Sequence, residues 1–159
     1  MSPRFAGRTA LVSGAAGPMG AAVAMRLAAE GAALVLTDIS ARRLQVTVDA
    51  IAAAHPDCPV LAHRASVLAL DEVQGLVQAA QARFTAVDVL VNIVGGIRGD
   101  LAAPVLTMAE ERWDSTFELN LKGIFHLVRA LAPGMLQRQY GRIVNISSVT
   151  FAGDAMQPE

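Results

Sequence analysis

Ser13-Gly14-Ala15-Ala16-Gly17-Pro18-Met19-Gly20 sets three glycines between a short apolar run, Thr9 to Ser13, and a stretch with helical patterning. A glycine-rich turn that leaves a strand and opens a helix brings backbone close to a pyrophosphate, which then rests on the positive end of the helix. Gly14, Gly17, Met19 and Gly20 are the candidates for that contact, with Ser13 at the strand end. The spacing is not Gly-x-Gly-x-x-Gly, and taken alone the segment also reads as a plain glycine-rich turn. Asp38 closes a second apolar run, Ala33 to Asp38. A carboxylate there can accept hydrogen bonds from an adenosine ribose, and its charge repels a 2′-phosphate, which favours NAD over NADP. Aspartate is equally a common turn or cap residue. Arg42 and Arg43 are near enough to meet a phosphate and also read as solvated positions on the following helix.

Leu90-Val91-Asn92-Ile93-Val94-Gly95-Gly96 interrupts an apolar run with one amide, and a buried amide needs a partner. Other chemistries are poorly supplied. His55, His63 and His126 have no metal-ligand spacing with Cys58 or with acids, and His126 sits on an apolar helix as a packing residue. No Gly-x-Ser-x-Gly elbow occurs.

The elements that must hold these residues follow from periodicity. Thr9 to Ser13, Ala33 to Asp38, Pro59 to His63, Val87 to Asn92 and Arg142 to Ser147 read as strands, several apolar throughout, as in parallel strands covered on both faces. Helical patterns lie between them near 19–30, 40–54, 70–84 and 108–138. Gly31 stops the first, Ser40 caps the second, and Thr107 with Glu110 has capping-box spacing for the last, which Pro133 should kink or shorten. Strands alternating with helices give an α/β fold with a doubly wound parallel sheet, Rossmann-like, as one domain over 1–159.

Composition narrows the partners. Hydrophobic residues make up 53% of the 159, charged residues 17%, and the net charge is −1; mean hydropathy is +0.43. This balance gives no field for nucleic acid or an anionic membrane, and no segment sustains the apolar length of a membrane span. The Gly-Ala-Ala-Gly-Pro break argues against reading the first residues as an export signal. Cys58 is the single cysteine, which fits a reducing, cytoplasmic setting.

Four segments in register resemble the N-terminal part of the short-chain dehydrogenase/reductase family. Ser13 to Gly20 is similar to its TGxxxGxG, and Asn92-Ile93-Val94-Gly95 to its NNAG. Asn120 in "WDSTFELNLKGIF" matches its helix asparagine, and Ser148 after "GRIVNIS" its catalytic serine. The resemblance implies an oxidoreductase that moves a hydride between NAD(H) and a small alcohol or ketone, and a homo-oligomer, dimer or tetramer. Ser148 would hold the substrate oxygen. Asn120 would support a water-linked proton relay. Ser66 and Val67 would face the adenine. Asn92 would tie neighbouring strands beside the cofactor, with the Ser13 hydroxyl as a partner. Gly95 and Gly96 would keep backbone near the nicotinamide.

Departures are Pro18 for the middle glycine, Ile93 for the second asparagine, and Ser66 where the family usually has aspartate. The family's tyrosine and the lysine four residues later have no match: Tyr140 precedes the fifth strand and Lys122 lies in the long helix. Both are expected beyond Glu159, with the C-terminal part of the domain absent. The alternative is a nucleotide-binding or interaction module without turnover. An extended epimerase-type relative is disfavoured by "NISS" and Asn120.

Overall fold

The computed structural model describes residues 3–97, 99 and 104–148. Among these, five parallel strands form one sheet: β1 Thr9–Ser13, β2 Ala33–Asp38, β3 Val60–Arg64, β4 Val89–Asn92 and β5 Arg142–Asn145. Their order is β3-β2-β1-β4-β5. The winding reverses between β1 and β4, which leaves a crevice at the carboxyl ends of the strands. Register aligns one row of polar residues there, His63, Thr37, Ser13, Asn92 and Asn145.

Both faces of β1, β2 and β4 are covered, and the strands show how. Ala10, Val12, Leu34, Leu36, Val89 and Val91 pack with Leu27 of α1 (Pro18–Ala29) and with Leu44 and Ile51 of α2 (Ala41–Ala54). The alternate residues Leu11, Val35 and Leu90 pack with Val73 and Leu76 of α3 (Leu70–Phe84) and with Leu127 and Leu131 of α5 (Gly123–Gln137). Successive side chains feed opposite layers, so the middles of β1, β2 and β4 are apolar at consecutive positions, with polar residues only at the strand ends.

The helix signals act as their chemistry dictates at two ends. Gly31 adopts φ +84 beyond α1. Its N–H donates to Ala28 O at 2.9 Å and that of Ala32 to Leu27 O at 3.0 Å, closing a Schellman turn. Ser40 caps α2 by accepting from Arg43 N at 3.4 Å.

The stretch expected as one helix over 108–138 is built differently. A 3₁₀ turn, Val105–Thr107, precedes α4 (Glu110–Phe117), a π-helical turn covers Glu118–Lys122, and α5 follows. The capping box does not form, because the 3₁₀ turn engages Thr107, whose hydroxyl donates to Pro104 O at 3.3 Å. Ala109 is the N-cap and supplies no side-chain bond. Pro133 does not end α5, which continues to Gln137. Arg129, whose carbonyl loses its helical partner to that proline, lies on the exposed face, where water can serve it.

Leu127 and Leu131 are in the core. Trp113, Phe117, Leu121 and Phe125 form an outward stripe at four-residue spacing, 46–56% exposed. Strand limits also differ slightly. β3 is shifted one residue toward the C-terminus, β4 starts at Val89 rather than Val87, and β5 stops at Asn145 rather than Ser147. β5 is an edge strand, exposed at all four residues.

Candidate functional site

A cleft of about 440 Å³ opens at the carboxyl ends of the strands. Eight of the residues singled out from the sequence line it: Gly14, Gly17, Met19, Gly20, Asp38, Ser66, Val67 and Gly95.

The glycine turn is forced by close backbone approach. Gly14 sits at φ +71, and a Cβ there would lie 3.3 Å from Val94 N. A Cβ on Gly20 would lie 2.1 Å from Gly14 O. No side chain fits at position 20 while the turn keeps this shape. Gly17 donates to Gly14 O at 3.1 Å, and the first helical bond runs from Ala21 N to Gly17 O at 2.9 Å. Pro18 occupies the first helical position, where a missing N–H costs nothing. Of the first four amide positions, which have no intrahelical acceptor, Met19 and Gly20 are left to offer N–H groups toward the cleft. These donors and the positive helix end suit an anion.

Asp38 stands across the opening. Its Oδ2 accepts from Ala16 N at 3.2 Å and its Oδ1 from Ser40 N at 3.0 Å. Arg43 Nη2 lies 3.9 Å from Oδ1. Asp38 is thus a turn residue and a cleft carboxylate at once, with acceptor capacity to spare. Arg43 lines the cleft. It is therefore more than a solvated helix position, and its signal was its place one turn after the Ser40 cap. Thr37, Ile39, Ala65, Leu68, Ile93, Val94 and Leu119 also line the cleft. Ile93 and Val94 belong to the Asn92–Gly95 segment, Thr37, Ile39, Ala65 and Leu68 neighbour strand ends, and the π-turn brings Leu119 there.

Ser13 and Asn92 lie beneath the cleft, both buried. Ser13 does not partner the Asn92 amide. Its Oγ accepts from Ile93 N at 3.2 Å and makes a long contact to Val91 O at 3.5 Å, so it joins β1 to the backbone of β4. Asn92 Nδ2 donates instead to Asn145 Oδ1 at 2.8 Å, since register puts those two side by side. Asn92 does tie strands together, but β4 to β5. Its Oδ1 and the hydroxyl of Thr37 are buried with no hydrogen-bond partner among the described residues.

Asn120 lies in the π-turn. Its Oδ1 accepts from Gly96 N at 2.9 Å, and its Nδ2 donates to Gly96 O and to Thr116 O, both at 2.7 Å. Both amide hydrogens are thereby engaged in clamping the loop after β4. A Cβ on Gly95 would lie 2.7 Å from Asn120 Oδ1. Ser148 is exposed, three residues beyond β5. Ile146 N donates to Asn92 O at 3.0 Å, which holds the chain leading to Ser148 against the end of β4. His126 is buried with its Nδ1 3.0 Å from Val67 O, a packing role that also supports one cleft wall.

The sequence profile of the short chain dehydrogenases matches residues 8–157. The chain belongs to the short chain dehydrogenase family. A (2S)-[(R)-hydroxy(phenyl)methyl]succinyl-CoA dehydrogenase subunit of Thauera aromatica is 37% identical over 151 residues, 94% of this chain and 58% of that protein. Among solved structures, a metagenomic short-chain oxidoreductase in complex with NADP superimposes with a TM-score of 0.81 at 34% identity, covering 91% of this chain and 63% of that one. An NAD+-bound xylitol dehydrogenase gives 0.86 at 29% identity, covering 94% and 56%. This short chain dehydrogenase sequence therefore spans a little under two thirds of the proteins it resembles. In it the glycine turn and Asp38 line one cleft.

Proposed function

We propose that residues 1–159 form the dinucleotide-binding part of an oxidoreductase that transfers a hydride between NAD(H) and an alcohol or ketone. One observation carries this reading. The Gly14–Gly20 turn, the open N-terminus of α1 and the Asp38 carboxylate face a single cleft at the switch between β1 and β4. A pyrophosphate fits the first two and an adenosine ribose the third.

When bound, the nicotinamide supplies the hydride chemistry. The chain's own residues do the rest. Met19 and Gly20 N–H groups bind phosphate, Asp38 accepts from the ribose, and Ser66 and Val67 border the adenine. Ser13, Asn92 and Gly95 hold the backbone of β4 where the nicotinamide half lies. Ser148 donates to the substrate oxygen. Asn120 positions the loop at Gly96 and offers its remaining acceptor capacity to a water relay. The proton comes from a tyrosine beyond Glu159. A phenol has a pKa of about 10 and requires a neighbouring cation, the lysine four residues later, to act near neutral pH. A cytoplasmic homo-oligomer that buries the Trp113–Phe125 stripe fits the same reading.

The test is to read the coding sequence past Glu159 and assay its product. A Tyr-x-x-x-Lys followed by NAD-dependent alcohol oxidation supports the enzyme. Ser148→Ala should then lower turnover by about 10²-fold with little change in cofactor affinity, the usual cost of one positioned donor. Unchanged turnover would assign the role to another residue, Ser147 first. A stop codon there would favour a binding module.

A further inference from the structure

We propose that Arg64 and Glu72 form a brace that positions the adenosine end of the cleft. Arg64 ends β3 and Glu72 lies in the first turn of α3. Arg64 Nη1 meets Glu72 Oε2 at 2.7 Å, and Arg64 Nε donates to Ile39 O at 3.4 Å. The same Glu72 oxygen accepts from Ser66 N at 2.9 Å. Ile39 follows β2 and Ser66 follows β3, and both line the cleft, whereas Arg64 and Glu72 do not. One ion pair thus grips two separate loops from outside and sets the width between them.

An exposed ion pair adds little to stability by itself, and this one is 53% and 32% exposed. Its consequence is geometric. The planar guanidinium serves acceptors in two directions at once, which a lysine ammonium on a flexible stem does not reproduce. Holding two loops apart in advance spares a ligand the cost of ordering them. Ser66 also has no carboxylate with which to grip an adenine, so the placement of its backbone counts for more here.

The inference rests on the dinucleotide reading. Calorimetric titration of the 159-residue chain with NAD and with ADP-ribose separates the two. Arg64→Ala should weaken both ligands by about tenfold, the scale of a lost preorganisation, while the melting temperature stays nearly constant. Arg64→Lys should recover less than half of that loss. Glu72→Gln, which keeps an acceptor for Ser66 N, should show a smaller loss of the same kind. Arg26→Ala breaks a comparable exposed pair with Glu30 at 2.7 Å, far from the cleft, and should change nothing. Unaltered affinity in Arg64→Ala, full rescue by lysine, or an equal loss in Arg26→Ala overturns the brace. An unsubstituted chain that binds neither ligand overturns the dinucleotide reading and the brace with it.

Discussion

Asn92 Nδ2 donates to Asn145 Oδ1 at 2.8 Å across paired positions of β4 and β5. One partner is buried and the other exposed, so the bond is asymmetric in what its loss costs. Asn145→Ala leaves the Asn92 amide buried without an acceptor. We expect it to lower stability by about 1–3 kcal/mol, where an ordinary exposed substitution stays within about 0.5 kcal/mol. Thermal or urea unfolding decides this, and a neutral Asn145→Ala would mean the bond contributes nothing.

Gly20→Ala puts a methyl group 2.1 Å from Gly14 O and 2.8 Å from Ala15 Cα. Both are backbone, so the turn itself must move. We expect a loss of about 1–3 kcal/mol together with loss of cofactor binding. Gly75 lies inside α3, and a methyl group added there would meet nothing within 4 Å. Gly75→Ala should therefore stabilise the protein by about 0.5–1 kcal/mol. Melting curves with and without NAD compare the two.

Arg4 hydrogen-bonds Glu30 through two contacts, at 2.8 and 3.0 Å, and lowers its carboxyl from 4.5 to about 2. A depressed carboxylate stabilises the fold above its ordinary value. That contribution fades as the pH falls from near 4.5 through about 2. Glu30→Gln should melt lower than the unsubstituted chain at pH 6, with the gap closing progressively toward pH 2. A constant gap across that range would show that Glu30 does not titrate as its pairing with Arg4 requires.

How much of this could be read in advance varied with local physics. β1 and β2 were legible to the residue because both their faces are buried, which leaves no polar interruption to mislead. β3 slipped by one because it is an outer strand whose final residues, His63 and Arg64, are polar. The lining of the cleft was legible where it needed a residue type, a glycine for close backbone approach or an aspartate at a strand end. It was not legible where it needed register. The Asn92–Asn145 bond follows from pairing between strands 53 positions apart in sequence. The π-turn that carries Asn120 to Gly96 has no signature in "ELNLK". For Arg43 the sequence leaves a phosphate contact and a solvated helix position both open, and only the capped first turn of α2 sets it against Asp38.

The central claim is that the cleft is a dinucleotide site with NAD preference, and equilibrium titration with NAD and NADP tests it most directly. Asp38 should disfavour a 2′-phosphate by on the order of 1–3 kcal/mol. Arg43, 3.9 Å away and 58% exposed, is free to turn partly toward such a phosphate and limit that penalty. We expect saturable NAD binding, tighter than NADP by about tenfold or more, and a further loss of NADP affinity alone in Arg43→Ala. Absence of binding, or equal affinity for the two cofactors, would contradict it.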